Sequence, residues 1–162
     1  MFKIYDNIFD ENIQEKIYKE IIDLNYLFGE KDRPDSLPTG ETSLITEDLF
    51  TYQQINKFIS TNEFIKNLKI YRSYVNLFLP KEDPFFHIDN KNGVTLLYYS
   101  LPNDNKWNID EHGETQFYIK EKDEVKGIFP KKGRLILFSS NVLHRATSFR
   151  TLKRYTVAFK LI

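Results

Sequence analysis

Three side chains in this sequence have the types and spacing to hold a metal ion. His87 and Asp89 stand two residues apart in the stretch Pro84 to Asn90, just past an apolar run, and His144 follows inside Asn141 to Ala146. In a strand, alternate side chains point to one face, so an imidazole and a carboxylate at i and i+2 converge on one point. Two imidazoles and one carboxylate form a facial ligand set for a transition-metal dication and leave coordination positions open. Open positions can take a chelating co-substrate and dioxygen side by side, which oxidative chemistry requires. A lone His-x-Asp is weak on its own, but the chain has only 3 His. The third, His112, lies in the loop Asn108 to Gly113 and reads as a non-ligand.

A second candidate group lies near the end of the chain. From Arg154 to Phe159 the residues alternate, with Arg154, Thr156 and Ala158 on one face and Tyr155, Val157 and Phe159 on the other. One face is bulky and apolar; the other is small and polar with a single cation. Arg154 either faces solvent at a sheet edge or points inward. An inward guanidinium is costly unless an anion pairs with it. Its fork suits a bidentate carboxylate, and the Thr156 hydroxyl can support the same ligand.

The elements that must position these groups follow from periodicity. After an extended segment from Phe2 to Tyr5, Asp10 reads as a helix N-cap. Ile13, Ile17, Ile21 and Leu24 then recur at helical spacing, predicting an amphipathic helix over about residues 10–24. Residues 29–46 carry Pro34, Pro38 and Gly40 with little periodicity and read as a long loop, either plain or a lid. A second helical region runs from Glu47 to Leu68, broken near Ser60, where Thr61 is placed to cap a last short helix. From Lys69 onward, short runs rich in Ile, Val, Tyr, Phe and Thr alternate with turn residues. They predict strands at 70–79, 84–89, 94–101, 114–120, 124–129, 134–139, 142–149 and 154–161. Many short strands with helices only upstream predict a mainly β fold, a jelly roll (double-stranded β-helix) buttressed by N-terminal α-helices. One domain over residues 1–162 is expected, with 1–68 as helical support and loop and 69–162 as the jelly-roll core.

Composition limits the partners. The 23 basic and 23 acidic residues cancel, so no global charge steers the chain to nucleic acid or an anionic membrane. With no Cys, disulfides and thiolate metal sites are excluded. Met1 to Asn7 is broken by charge and reads as no secretory signal, and no apolar run has the length of a membrane span. The expected location is cytoplasmic.

Ordered pieces carry a family resemblance: Phe86 to Asn90, Leu96 to Asn103, Gly113 to Phe117, Pro130 to Phe138, His144, and Arg154 to Thr156. No single piece is specific; their order and spacing are. From Tyr71 to Ile162 the chain resembles the Fe(II)/2-oxoglutarate-dependent dioxygenases, closest to the prolyl 4-hydroxylase-like branch. The resemblance implies His87, Asp89 and His144 as iron ligands and Arg154 as partner of the far carboxylate of 2-oxoglutarate. Tyr99 matches a Tyr whose hydroxyl contacts that carboxylate, or else packs as a core aromatic, and Thr156 is a further contact. Phe78 stands where the family usually has a Tyr, and Tyr74 is the candidate replacement. Lys81 lies near a usual Gly, and His112 stands where the family often has the first of two Gly.

The implied cofactors are Fe(II), 2-oxoglutarate and dioxygen, with ascorbate as a candidate addition. The implied reaction hydroxylates an unactivated C–H bond, with release of succinate and carbon dioxide. The substrate is expected to be a peptidyl prolyl residue, another side chain or a small molecule. The mouth is expected from loop 29–46 and from loop 102–113, with Trp107, Asp104, Asp110 and Glu111. The competing reading is a non-catalytic, cupin-like jelly-roll module that binds a metal or ligand, or an interaction domain whose triad is coincidental.

Overall fold

The computed structural model describes residues 2–102 and 107–162, so Asp104 lies outside the described residues. Its organising strand is the last one, β10 (Arg154–Leu161), which lies between β4 (Ile70–Phe78) and β5 (Val94–Ser100). Both pairings are antiparallel; Thr156 stands opposite Asn76 on one side and Tyr99 on the other. The predicted alternation holds. Tyr155, Val157, Phe159 and Leu161 enter one apolar cluster, while Ala158 enters a second on the opposite face. Val157 and Phe159 are fully buried, and each contributes ~2 kcal/mol by burial.

The first cluster is closed by two helices. In α1 (Glu11–Ile22) the Asp10 carboxylate accepts from the Ile13 amide at 2.9 Å, as its N-cap role requires, and Ile17 and Ile21 face the sheet. The second helix, α2 (Phe50–Thr61), buries Ile55 and Ile59 against the same face. It ends at Thr61, at the expected break, but Asn62, not Thr61, accepts from the Phe64 amide, and a run of turns stands in place of the expected last short helix.

The large sheet also takes three strands from the N-terminal third: β1 (Phe2–Tyr5), β2 (Leu27–Phe28) and β3 (Glu41–Leu44). Its order is β1-β8-β5-β10-β4-β3-β2, with β8 at Leu135–Ser139. Thus the stretch 29–46 is not all loop. Its end, Glu41–Leu44, pairs with Tyr74–Leu77 of β4, a partner that local periodicity does not reveal.

The small sheet has the order β7-β6-β9, from β6 (Thr115–Ile119), β7 (Glu124–Ile128) and β9 (His144–Ala146). It covers the second apolar cluster, in which Phe117 packs edge-on against Phe138. The two layers with buttressing helices make the mainly β jelly roll. The expected strand at 84–89 is absent: only His87 pairs, in an isolated bridge to His144. Gly93, before β5, has φ +97°, and a Cβ there would stand 2.2 Å from the Leu161 carbonyl oxygen, so the turn must be Gly. Among the described residues, no helix is long and apolar enough to cross a membrane.

Candidate metal centre

The bridge that replaces the expected strand is what brings the two imidazoles together. His87 donates its amide to the His144 carbonyl and His144 donates back, both at 2.9 Å, so the two residues stand directly opposite each other. Their ring centroids are 4.6 Å apart. Each Nδ1 faces the carbonyl two residues upstream, Phe85 at 3.0 Å for His87 and Val142 at 2.9 Å for His144. Those carbonyls can only accept, so each Nδ1 carries a proton and, in the neutral ring, each Nε2 keeps its lone pair.

Asp89 completes the set. Its amide donates to the Ser140 carbonyl at 2.9 Å, and its Oδ1 lies 3.6 Å from His87 Nε2 and its Oδ2 3.6 Å from His144 Nε2. One donor atom from each residue lies within 4.8 Å of the others, two aimed imidazole nitrogens and a carboxylate oxygen. Such a donor set fits an Fe(II)-type dication. Burial lowers the His144 pKa to about 4 against the pull of Asp89, which keeps this imidazole neutral. Burial also opposes charge on His87, but Asp89, the Phe85 carbonyl and Asp32 outweigh it, and the net direction is up. For Asp89, burial is overcome by His87, Lys160 and His144, which hold it ionised.

Side chains that sequence reasoning missed surround this carboxylate. Thr95 donates to Oδ2 at 2.5 Å, and the ammonium of Lys160, a residue only 4 % exposed, ion-pairs with the same oxygen. Lys160 continues the face of Arg154, Thr156 and Ala158, so alternation carried one step further finds it. Asp32 has no such signal. It comes from the long loop, accepts from the Phe85 amide at 2.7 Å and from Thr39 at 3.0 Å, and sets Oδ1 3.4 Å from His87 Nδ1.

From the triad a cavity of about 190 Å³ runs across β10 to Arg154. Arg154 is 2 % exposed; it donates to the Gly113 carbonyl at 2.9 Å and to Thr115 Oγ1 at 3.2 Å. No carboxylate lies at ion-pair distance from it among the described residues, and burial lowers its pKa. Beside it, the buried Thr156 hydroxyl also lines the cavity and has no hydrogen-bond partner among the described residues. An unpaired buried guanidinium and an orphaned hydroxyl in one wall fit a carboxylate ligand.

The remaining predicted residues fall at different depths. Tyr99 stands behind Arg154; its hydroxyl donates to the Ile128 carbonyl at 3.1 Å and accepts from Thr115 at 2.5 Å, so it holds Thr115 in place. Phe78 lines the cavity on the Arg154 side, 5.8 Å from the guanidinium. Tyr74 lines it at the other end, where its ring centroid is 5.7 Å from Lys160 Nζ. The long loop reaches the cavity through Glu30, Lys31, Asp32 and Thr39.

Residues 107–113 are tied back instead. Glu111 accepts from the amide and hydroxyl of Thr151, and Trp107 donates to the His112 carbonyl at 2.8 Å. His112 contacts Arg150, not the triad, and Asp110 is exposed.

Comparison with known proteins agrees with this geometry. Residues 75–160 match the family model described as the 2OG-Fe(II) oxygenase superfamily. No curated protein matches the sequence significantly. The fold is similar to a prolyl hydroxylase from Trichoplax adhaerens, solved with a hypoxia inducible factor peptide fragment. That match has a TM-score of 0.79 and 22% identity over 99% of this chain and 83% of that one. A Pseudomonas putida prolyl-4-hydroxylase matches with a TM-score of 0.72 and 14% identity, over 98% of this chain and 91% of that one. HygX from Streptomyces hygroscopicus, solved with nickel and 2-oxoglutarate, matches with a TM-score of 0.72 and 11% identity, over 99% of this chain and 82% of that one.

Proposed function

This chain belongs to the 2OG-Fe(II) oxygenase superfamily, whose members use Fe(II), 2-oxoglutarate and dioxygen, and from that premise we propose that it hydroxylates a side chain of a peptide, with proline the first candidate. The observation that carries the site assignment is the cavity with an aimed two-His, one-carboxylate set at one end and an unpaired Arg154 at the other. The peptide follows the likeness to a fold solved with a bound peptide fragment and the mouth beside Glu30 and Tyr71, which opens to solvent.

In this reading His87 Nε2, His144 Nε2 and one oxygen of Asp89 hold the metal. Arg154 takes the far carboxylate of 2-oxoglutarate through its fork, and Thr156 gives its unused hydroxyl to the same group. Bound together, metal, keto acid and dioxygen supply the oxidation that turns C–H into C–OH while 2-oxoglutarate becomes succinate and carbon dioxide. The protein's part is to orient these groups and to keep the cavity dry. Tyr99 and Thr115 lock the Arg154 rotamer, and Phe117 and Phe138 pack on the His144 ring.

The test is anaerobic addition of Fe(II) with and without 2-oxoglutarate, followed by succinate assay against proline-containing peptides. A weak visible band that needs both components, lost in Asp89→Ala while the fold persists, is the expected result. Full iron affinity in Asp89→Ala overturns the ligand assignment. Metal binding without turnover on any peptide favours a binding module.

A further inference from the structure

Among the described residues, Lys160 is the one buried ammonium at this centre, and the reaction described above gives it no task. It sits on β10 opposite Thr95 of β5 and Arg72 of β4, with 6 % of its side chain exposed. It touches three groups: Asp89 Oδ2 by ion pair, Thr95 Oγ1 at 3.5 Å, and the neighbourhood of the Tyr74 ring. Burying an ammonium is costly unless its partners are fixed. These are fixed, because every one of them lies on the sheet or is bonded to it.

The hydrogen-bond directions determine what the arrangement does. Thr95 has a single hydroxyl proton, and it goes to Asp89 Oδ2 at 2.5 Å, so the 3.0 Å contact with Ser140 must be donated by Ser140. Lys160 adds a second donor to the same Oδ2. A carboxylate oxygen has two in-plane lone pairs, and both on Oδ2 are then used. Both oxygens lie 3.6 Å from an imidazole Nε2, Oδ1 from His87 and Oδ2 from His144, but only Oδ1 receives no donor among the described hydrogen bonds.

We propose that Lys160 is a positioning residue of the metal site: with Thr95 it occupies Oδ2 of Asp89, so that the carboxylate offers a cation Oδ1 alone. The inference rests on the metal-site reading and adds to it. A carboxylate free to bind through both oxygens fills an extra coordination position, and that position is needed by a co-substrate that chelates through two atoms. Lys160 thereby protects the space for the keto acid rather than raising the affinity for the metal. Removing it also removes a cation beside a dication, so metal affinity is expected to hold or rise, not fall.

The experiment uses Co(II) as a redox-silent probe with the full chain, under anaerobic conditions. Wild type, Lys160→Met and Thr95→Val are compared for Co(II) affinity by calorimetry, for the visible d–d spectrum, and for 2-oxoglutarate affinity of the Co(II)-loaded protein. Lys160→Met is expected to bind Co(II) at least as tightly as wild type, with an altered spectrum, and to bind 2-oxoglutarate roughly tenfold more weakly. Thr95→Val, isosteric and leaving Lys160 in place, is expected to shift both readouts in the same direction by less. It also keeps the question answerable if Lys160→Met does not fold. An unchanged spectrum and unchanged 2-oxoglutarate affinity in folded Lys160→Met, or in Thr95→Val should Lys160→Met not fold, overturn this proposal and leave the metal site standing. Failure of wild type to bind Co(II) overturns the metal-site reading and this one with it.

Discussion

At the scale of single residues, the informative feature is a cation without its anion. Arg154 is held by one carbonyl and one hydroxyl, neither of which neutralises it. Arg154→Met should therefore have two opposite effects. Affinity of the metal-loaded protein for 2-oxoglutarate should fall roughly 10- to 100-fold, the weight of a charge-assisted bond. Stability of the ligand-free protein should stay level or rise, because an apolar side chain removes an unpaired buried charge. Calorimetry and urea denaturation on the same samples check the pair; loss of stability with unchanged affinity contradicts the assignment of Arg154 to the ligand. Residue type singled out His87, Asp89 and His144, and residue type with alternation singled out Arg154 and Thr156; the structure brings all five to one cavity. Asp32 was not, because its tie to Phe85 spans 53 residues of chain and leaves no local pattern.

At the scale of elements, one edge of the large sheet is set by how the chain's first strand is fastened. β1 pairs with β8, Phe2 opposite Phe138 and Tyr5 opposite Leu135. Just beyond it, Asp6 accepts from Arg134 at 2.8 Å and from Lys131 at 3.0 Å at the turn into β8. The Arg134 hydrogen bond, opposed by burial and helped by Lys131, lowers the Asp6 pKa to about 2. A folded-state pKa below the unfolded value means the contribution is complete above about pH 4 and disappears as pH falls through the folded value. Asp6→Asn should lower stability at pH 7 by about 1 kcal/mol or less, since the pair is partly solvated, and the difference from wild type should close as pH falls toward 2. Thermal melts of both proteins across that range decide it; a gap independent of pH would mean the effect is not electrostatic. Helix α1 was legible because its apolar spacing and Asp10 cap are local. Strand β3 was hidden because Glu-Thr-Ser-Leu is short and takes its strand form from β2 and β4, both distant in sequence. The segment 84–89 misled for the converse reason: beside Pro84 only His87 forms a strand pairing, in an isolated bridge.

At the scale of the whole molecule, alternating short strands with helices upstream were enough to give the layered β architecture. The order of strands within the sheet was not legible, because it is fixed by which distant faces bury each other. That order, β1-β8-β5-β10-β4-β3-β2, has a consequence in time. β10 lies between β4 and β5, so the middle of the large sheet waits for residues 154–161, and β1 waits for residues 135–138. Long loops must close before these pairings repay their entropy, which places refolding in the slow range of milliseconds to seconds. The two imidazoles meet across the bridge between His87 and His144, so the full donor set is assembled only when these residues, far apart in the chain, are paired. Metal added to a stopped-flow experiment should therefore leave the refolding rate unchanged and slow unfolding in proportion to its occupancy, making the ion a brake on opening rather than a seed for assembly.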